Sequence, residues 1–412
     1  MKRKEREIHW HHLLDGITRG ALILVCAVNV TGCVSSYTLK VPPDDKTEIL
    51  VERLAGTVGV YYPPEFRNYV GSATPISLLA IQAPLGESSI ATFDRTLQAL
   101  FQDVVPISEW PIVRPLDRQL DLVVVPRIEG FVASLRLEPR YQSSVSIRYA
   151  LSLHSPVGNE LAQFRLDGTA STRRLIMTSK TSWESMIGAS IRNASAHLAT
   201  GLPAHPAVAG RLTPLPDSRQ PAQSPATVPQ DTGGRTTLTV LPPHTPDEIG
   251  GAECLVRALE ESYQYVSFMP DVTFRSTLFP WLEPGVEPEH GEPLTKLLKR
   301  PLVARRLSEL GVRYLLSPML ITSAPGLSGP FMCGGGMGAA GCFGVATAER
   351  RSTMTVKVWD LTTGNAMATP YFAESKGTSW AAGFVIPVWR TAPTEDEACR
   401  GVIKQMAGIL AR

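Results

Sequence analysis

The stretch SSVSIRYALSL at residues 143–153 decides the fold class. Val145, Ile147, Tyr149, Leu151 and Leu153 alternate with polar or small residues. Successive side chains of a strand point to opposite sides, so a two-residue period gathers these five on one face. PVGN at 156–159 is turn chemistry, and ELAQFRLDGTA at 160–170 alternates again. The pair predicts an antiparallel hairpin with one apolar face. That face needs a cover, and its flanks supply helices. In GESSIATFDRTLQALFQDVV (86–105), Ile90, Phe93, Leu97, Leu100, Phe101 and Val104 recur at three- and four-residue spacing, with Ser88 or Ser89 as cap. Residues 181–200 predict a closing helix. Residues 57–62 (TVGVYY) read as a strand stopped by Pro63 and Pro64. Residues 120–126 (LDLVVVP) read as another, with 127–134 as its continuation.

The second half repeats this texture. Residues 237–242 are a strand and 247–264 a helix; 298–310 are a helix, 312–321 a strand. TMTVKVWDL (353–361) is a strand with Met354, Val356 and Val358 inward. A turn at 362–365 leads to a strand near 366–379, and 395–411 form a final helix. The predicted fold class is therefore α+β, with two domains, each a mostly antiparallel sheet with helices packed on one face. No sequence repeat relates the halves. Residues 202–236, dense in Pro, Ser, Gln and Gly, read as a linker too poor in large apolar residues to repay the entropy of ordering. The expected division is a leader at 1–32, a tether at 33–50, a domain at 51–201, the linker at 202–236 and a domain at 237–412.

A chain of 412 residues with 43% hydrophobic and 19% charged residues suits two globular domains. The net charge of +2 gives no basic face for nucleic acid. The N-terminus is different in kind. Lys2, Arg3, Lys4, Arg6 and Arg19 precede ALILVCAVNV at 21–30, then Val30-Thr31-Gly32-Cys33. The apolar run has the length of a signal-peptide core and is too short to span a bilayer. No later run reaches spanning length.

These residues resemble the lipobox of bacterial lipoprotein precursors. The resemblance implies diacylglycerol on the Cys33 thiol, cleavage before Cys33 and a third acyl chain on the new amino terminus. Two or three chains give stable anchoring where one does not. Val34, rather than Asp, follows the cysteine, which under the sorting rule of enteric bacteria implies the outer membrane, with the body facing the periplasm. The N-terminal body, through residues 57–63, 122–130 and 143–170, looks like small envelope lipoproteins that serve as auxiliary subunits of transport systems. The C-terminal body, through TLTVLPP (237–243) and LSELGVRYLLSPML (307–320), is similar in layout to the curli-secretion and TolB-N-terminal group of envelope proteins. The segments that build the curli pore are not recognisable here.

Cys26 leaves with the leader and Cys33 is consumed by lipid. Four body cysteines remain, which allow three pairings. Cys333 and Cys342 flank one glycine-rich stretch and are paired for that reason; Cys254 and Cys399 follow by elimination. A metal site would show closer pairs with histidines nearby, and no metal or cofactor is expected. Residues 336–341 match G-x-G-x-x-G, but no strand-to-helix context surrounds them, and Asp360 is a coincidence of spacing. His9, His11 and His12 lie in the leader. His290, with Glu287, Glu289 and Glu292, reads as a solvated loop. Residues 323–350 read as a long loop between neighbouring strands. Phe331, Met332, Met337, Ala339, Ala340, Phe343 and Val345 make it apolar, and it is either a contact surface or a plain loop.

The expected function is non-enzymatic: an anchored accessory or scaffold acting through contacts with envelope proteins. Two alternatives stand beside it, an oligomeric outer-membrane secretion channel of the curli type and an envelope hydrolase whose site is not recognisable.

Overall fold

The structure is a computed structural model. It describes residues 35–42, 47–76, 79–112, 118–136, 142–172, 179–215, 236–242, 249–263, 265–288, 292–323, 326, 328–336 and 339–410. Cys33, the leader and His290 lie outside the described residues.

The protein is α+β. In its N-terminal half the hairpin forms as β7 (Gln142–His154) and β8 (Glu160–Thr172), antiparallel from Ser143 opposite Thr172 to His154 opposite Glu160. The full sheet runs β5 (Phe101–Pro106), β2 (Leu54–Val60), β6 (Leu122–Arg136), β7, β8. It is mixed: β2 is parallel to β5 and β6, and the rest is antiparallel. Val145, Ile147, Tyr149, Leu151 and Leu153 are buried. Helices α2 (Leu85–Leu100) and α3 (Lys180–Gly201) cover them on one face. The Phe93 and Tyr149 ring centroids lie 5.0 Å apart. Burying each such side chain contributes roughly 1.5–3 kcal/mol. Short α1 (Pro64–Arg67) packs Phe66 beside them.

Three expectations change here. The helix predicted to Val105 stops at Leu100, and β5 begins at Phe101. Phe101 and Val104 belong to a parallel strand, whose apolar run a helical period also fits. Within the expected tether at 33–50, residues 35–42 and 47–50 pack against the folded body. β1 (Ser35–Thr38) is parallel to β4 (Leu79–Pro84), which pairs with β3 (Val70–Ile76), and Leu39 and Val41 are buried. The start of the linker also folds. α4 (Pro206–Ala209) and β9 (Thr213–Pro214, on β2) place Leu202, Val208 and Leu212 in the N-terminal core. Three apolar residues suffice to dock a Pro-rich stretch; residues 216–235 lie outside the described residues.

In the C-terminal half, β10 (Thr236–Val240) is parallel to β11 (Val266–Met269) and β12 (Tyr314–Ser323). β12 is antiparallel to β14 (Ala339–Asp360). Both faces of this sheet are covered at its base. On one face Tyr314, Leu316, Met354, Val356 and Val358 pack on α5 (Ile249–Ser262) and α9 (Thr394–Leu410). On the other, Leu315 and Trp359 pack on α6 (Asp271–Thr277), α7 (Glu292–Leu298) and α8 (Pro301–Leu310). A run such as Leu315-Leu316, apolar at consecutive positions, is the mark of a strand buried on both sides. Cys254 of α5 is disulfide-bonded to Cys399 of α9, with Cα atoms 6.2 Å apart.

Candidate functional site: the uncharged end of the C-terminal ribbon

Within the long loop expected at 323–350, residues 331–336 and 339–350 are instead β structure. β13 (Phe331–Gly336) is antiparallel to β14. β14 then pairs along its length with β16 (Tyr371–Arg390), from Cys342 opposite Val385 to Val356 opposite Tyr371, with β15 (Asn365–Ala366) beside its end. The loop reading failed because alanine and glycine lack the β-branched or aromatic signal of a strand. The alternation survives with small residues. Cys342, Gly344, Ala346 and Ala348 fall on one face, Phe343, Val345 and Thr347 on the other. The G-x-G-x-x-G match spans the end of β13 and the start of β14, with Gly336 opposite Ala339. Asp360 ends β14 and accepts the Thr362 N–H at 2.9 Å.

The two faces of the ribbon differ. On the small-residue face, Ala346 and Ala381 lie opposite each other and are buried. The segment after β16 lies on this face. The Ala392 N–H donates to Ser379 Oγ at 3.0 Å, and a Cβ at Gly377 would sit 2.7 Å from Ala392 Cβ. On the other face, the register forms cross-strand rows. Met332 lies opposite Phe343; Val345 and Ala382 come next toward the base, then Thr347 and Trp380. Met332 is 79% exposed, Phe343 68%, Val345 54% and Trp380 37%. This face continues the one that α7 and α8 cover at Trp359, but the helices do not reach it.

Charge begins abruptly below Trp380. Residues 331–348 and 377–389 hold no Asp, Glu, Lys, Arg or His. Glu349, Arg350 and Arg351 follow on β14, with Glu374 and Lys376 on β16. Arg351 and Lys376 share Glu374 at 3.3 Å each, and Arg350 pairs with Glu395 of α9. Cys342 is disulfide-bonded, and the register sets Cys333 directly opposite it.

Elsewhere, one polar cluster escaped the sequence reading. Arg192 of α3 donates to Glu283 at 2.7 Å and to Thr47 at 2.6 Å, and its guanidinium lies 4.6 Å from the Phe279 ring centre. The Asn193 side-chain amide donates to Pro284 O at 2.6 Å, and its oxygen accepts the Thr169 N–H. The Leu50 N–H donates to Phe279 O, and the Trp281 indole N–H donates to Leu50 O at 2.7 Å. These groups fasten the two halves together. The only trace in the sequence is an Arg-Asn pair in an Ala/Ser-rich helix. The acidic loop around 287 is also not wholly solvated. Glu287 is buried against Arg275 at 2.8 Å, and burial pushes its carboxyl up despite that partner. Glu292 pairs with Lys296 in solvent. Among the described residues no three His, Cys, Asp or Glu side chains converge on a metal-sized site, and no helix is long and apolar enough to cross a membrane.

No protein-family model and no curated protein matches the chain. Solved structures resemble parts of it. A DUF330 protein from Xanthomonas campestris is 10% identical over 41% of this chain and 97% of its own, with a TM-score of 0.26. A minor lipoprotein from Acinetobacter baumannii is 10% identical over 39% of this chain and 96% of its own, with a TM-score of 0.22. A protein from Chlamydia trachomatis is 15% identical over 36% and 95%, with a TM-score of 0.24.

Proposed function

We propose that this chain is a bacterial envelope lipoprotein, acylated on Cys33 and held at the inner face of the outer membrane with its body in the periplasm. It works without catalysis, as an accessory or scaffold of an envelope assembly, by presenting surfaces. The observation that carries this reading is the exposed, uncharged end of the ribbon, with Met332, Phe343, Val345 and Trp380 facing outward. An apolar patch kept in water is costly unless something covers it. The lipobox supports the anchor. Metabolic labelling with a fatty-acid analogue tests it: the native chain should take up label and fractionate with outer membranes, and the Cys33→Ser chain should remain unlabelled and uncut. Label on the Cys33→Ser chain would sink the anchor.

One observation favours a second reading, the oligomeric channel. The uncharged part of β14, residues 339–348, matches the roughly 9–11 residues of a membrane-crossing strand. A channel would run as a large ring on a sizing column; a monomer or small oligomer excludes it.

A further inference from the structure

We infer that the occupant of the ribbon's exposed end is the lipid bilayer, entered to interfacial depth, so that the protein touches its membrane at a point far along the chain from Cys33. This rests on the reading of that end as a contact surface. Three observations select lipid over a protein partner.

The first is the absence of charge from residues 331–348 and 377–389, with Arg390 at the end of β16 the one charged residue beyond them on these strands. The small-residue face is packed beneath the segment after β16, so the informative absence is that of the outward face, where immersion excludes charge across the width of the ribbon.

The second is the order along the strand axis. Among the described side chains the Met332–Phe343 row lies farthest from the base, Val345 follows, then Trp380, then Glu349, Arg351 and Lys376. Aliphatic and Phe side chains, then an indole, then charges is the order met on leaving a hydrocarbon core through the headgroups. A protein-docking patch has a polar rim all round; here, on β13 and β14, charge lies only on the base side. From Phe343 to Thr347 the strand rises about 13 Å, which seats Phe343 at the acyl boundary when Trp380 is at the headgroups.

The third is the backbone. β14 is paired on both edges at residues 342–344, by β13 and by β16. An inserted strand must have its N–H and C=O groups satisfied, because hydrocarbon offers no replacement partners. β13 and β16 are themselves paired in the sheet only with β14 among the described residues, and that holds the entry to the interface.

The test places a photo-cross-linking benzophenone amino acid at Phe343, Val345 or Phe372 in the full-length, acylated chain, in its native envelope. Phe372 is a fair control: it is 50% exposed, and the register puts it opposite Thr355 on the same face but beyond the charged belt. Adducts are identified by mass spectrometry. The expected result is phospholipid adducts at 343 and 345, about tenfold above those at 372. Val345→Glu should lower the lipid adducts at 343 several-fold while leaving the melting temperature unchanged, since the side chain is exposed in the fold. Equal lipid yields at 343 and 372 would overturn the inference, because the anchor alone would then explain proximity. Adducts at 343 to protein only would also overturn it and leave the contact surface standing. No adducts of either kind at 343 would sink both. Acyl labelling reads the anchor independently.

Discussion

At the residue scale, the tightest constraint is Gly168 on β8. A Cβ there would lie 2.1 Å from Ser190 O of α3, and the Ser190 hydroxyl donates to Gly168 O at 2.7 Å. The contact is with backbone, so no rotamer relieves it. Gly168→Ala should cost roughly 1–3 kcal/mol by forcing α3 off the sheet; urea unfolding checks this, and an unchanged midpoint would show that α3 does not sit so close. Asp94 makes a second case. It accepts the Tyr62 hydroxyl at 2.6 Å. Burial raises its carboxyl, while Tyr62 and Arg67 pull the other way. The folded state therefore holds the proton more tightly than the unfolded one. Stability from this group is complete below the ordinary carboxylate range and is lost as pH rises through the raised value. Asp94→Asn keeps the acceptor and removes the charge, so it should raise the melting temperature at pH 7 and change little at pH 4. The inward residues of the hairpin were legible because their period is unambiguous. Gly168 and Asp94 were not, because what matters at each is a neighbour distant in sequence.

At the element scale, the Cys254–Cys399 bridge ties the first helix of the C-terminal half to its last across a separation of 145 residues. In the chain-entropy model such a closure is worth about 4–5 kcal/mol. Replacing both cysteines with alanine should lower the denaturation midpoint of the C-terminal half and leave the N-terminal half where it was. A uniform shift of both would show that the halves unfold as one. The helix at 394–410 and the strand at 314–323 were readable from apolar spacing and length. The helix end at Leu100 was not, since Phe101 and Val104 satisfy both periods and only pairing with β2 decides between them. The ribbon end was hidden for another reason. Its small residues carry the alternation without the bulk that ordinarily announces a strand, and the partner that straightens it, β16, lies some forty residues on.

At the scale of the whole molecule, the halves meet through Arg192, Asn193, Leu50 and Trp281 rather than hanging from a tether. A protease site placed within 216–235 should therefore be cut without the halves separating, and the fragments should co-elute on a sizing column. Arg192→Met removes the bonds to Glu283 and Thr47 and should weaken that association by about 1–3 kcal/mol. Fragments that part at once after cleavage, with Arg192 intact, would mean the joint does not hold. Composition found the Pro-rich stretch but not its folded beginning. Three apolar residues among prolines carry too little periodicity to show which core they enter.

β14 pairs with β12 and with β16 without a register break between Cys342 and Asp360. One unbroken parity thus governs both its ends. The positions that bury Met354, Val356 and Val358 at the base are the same parity that hides Ala346, and the opposite parity exposes Phe343 and Val345. The reach of this arm is consequently quantised. Lengthening it by one residue on each strand would turn Phe343 inward and Ala346 outward, whereas two on each would extend it by about 7 Å with both sides preserved. Arms of differing length built on this plan should differ in even steps.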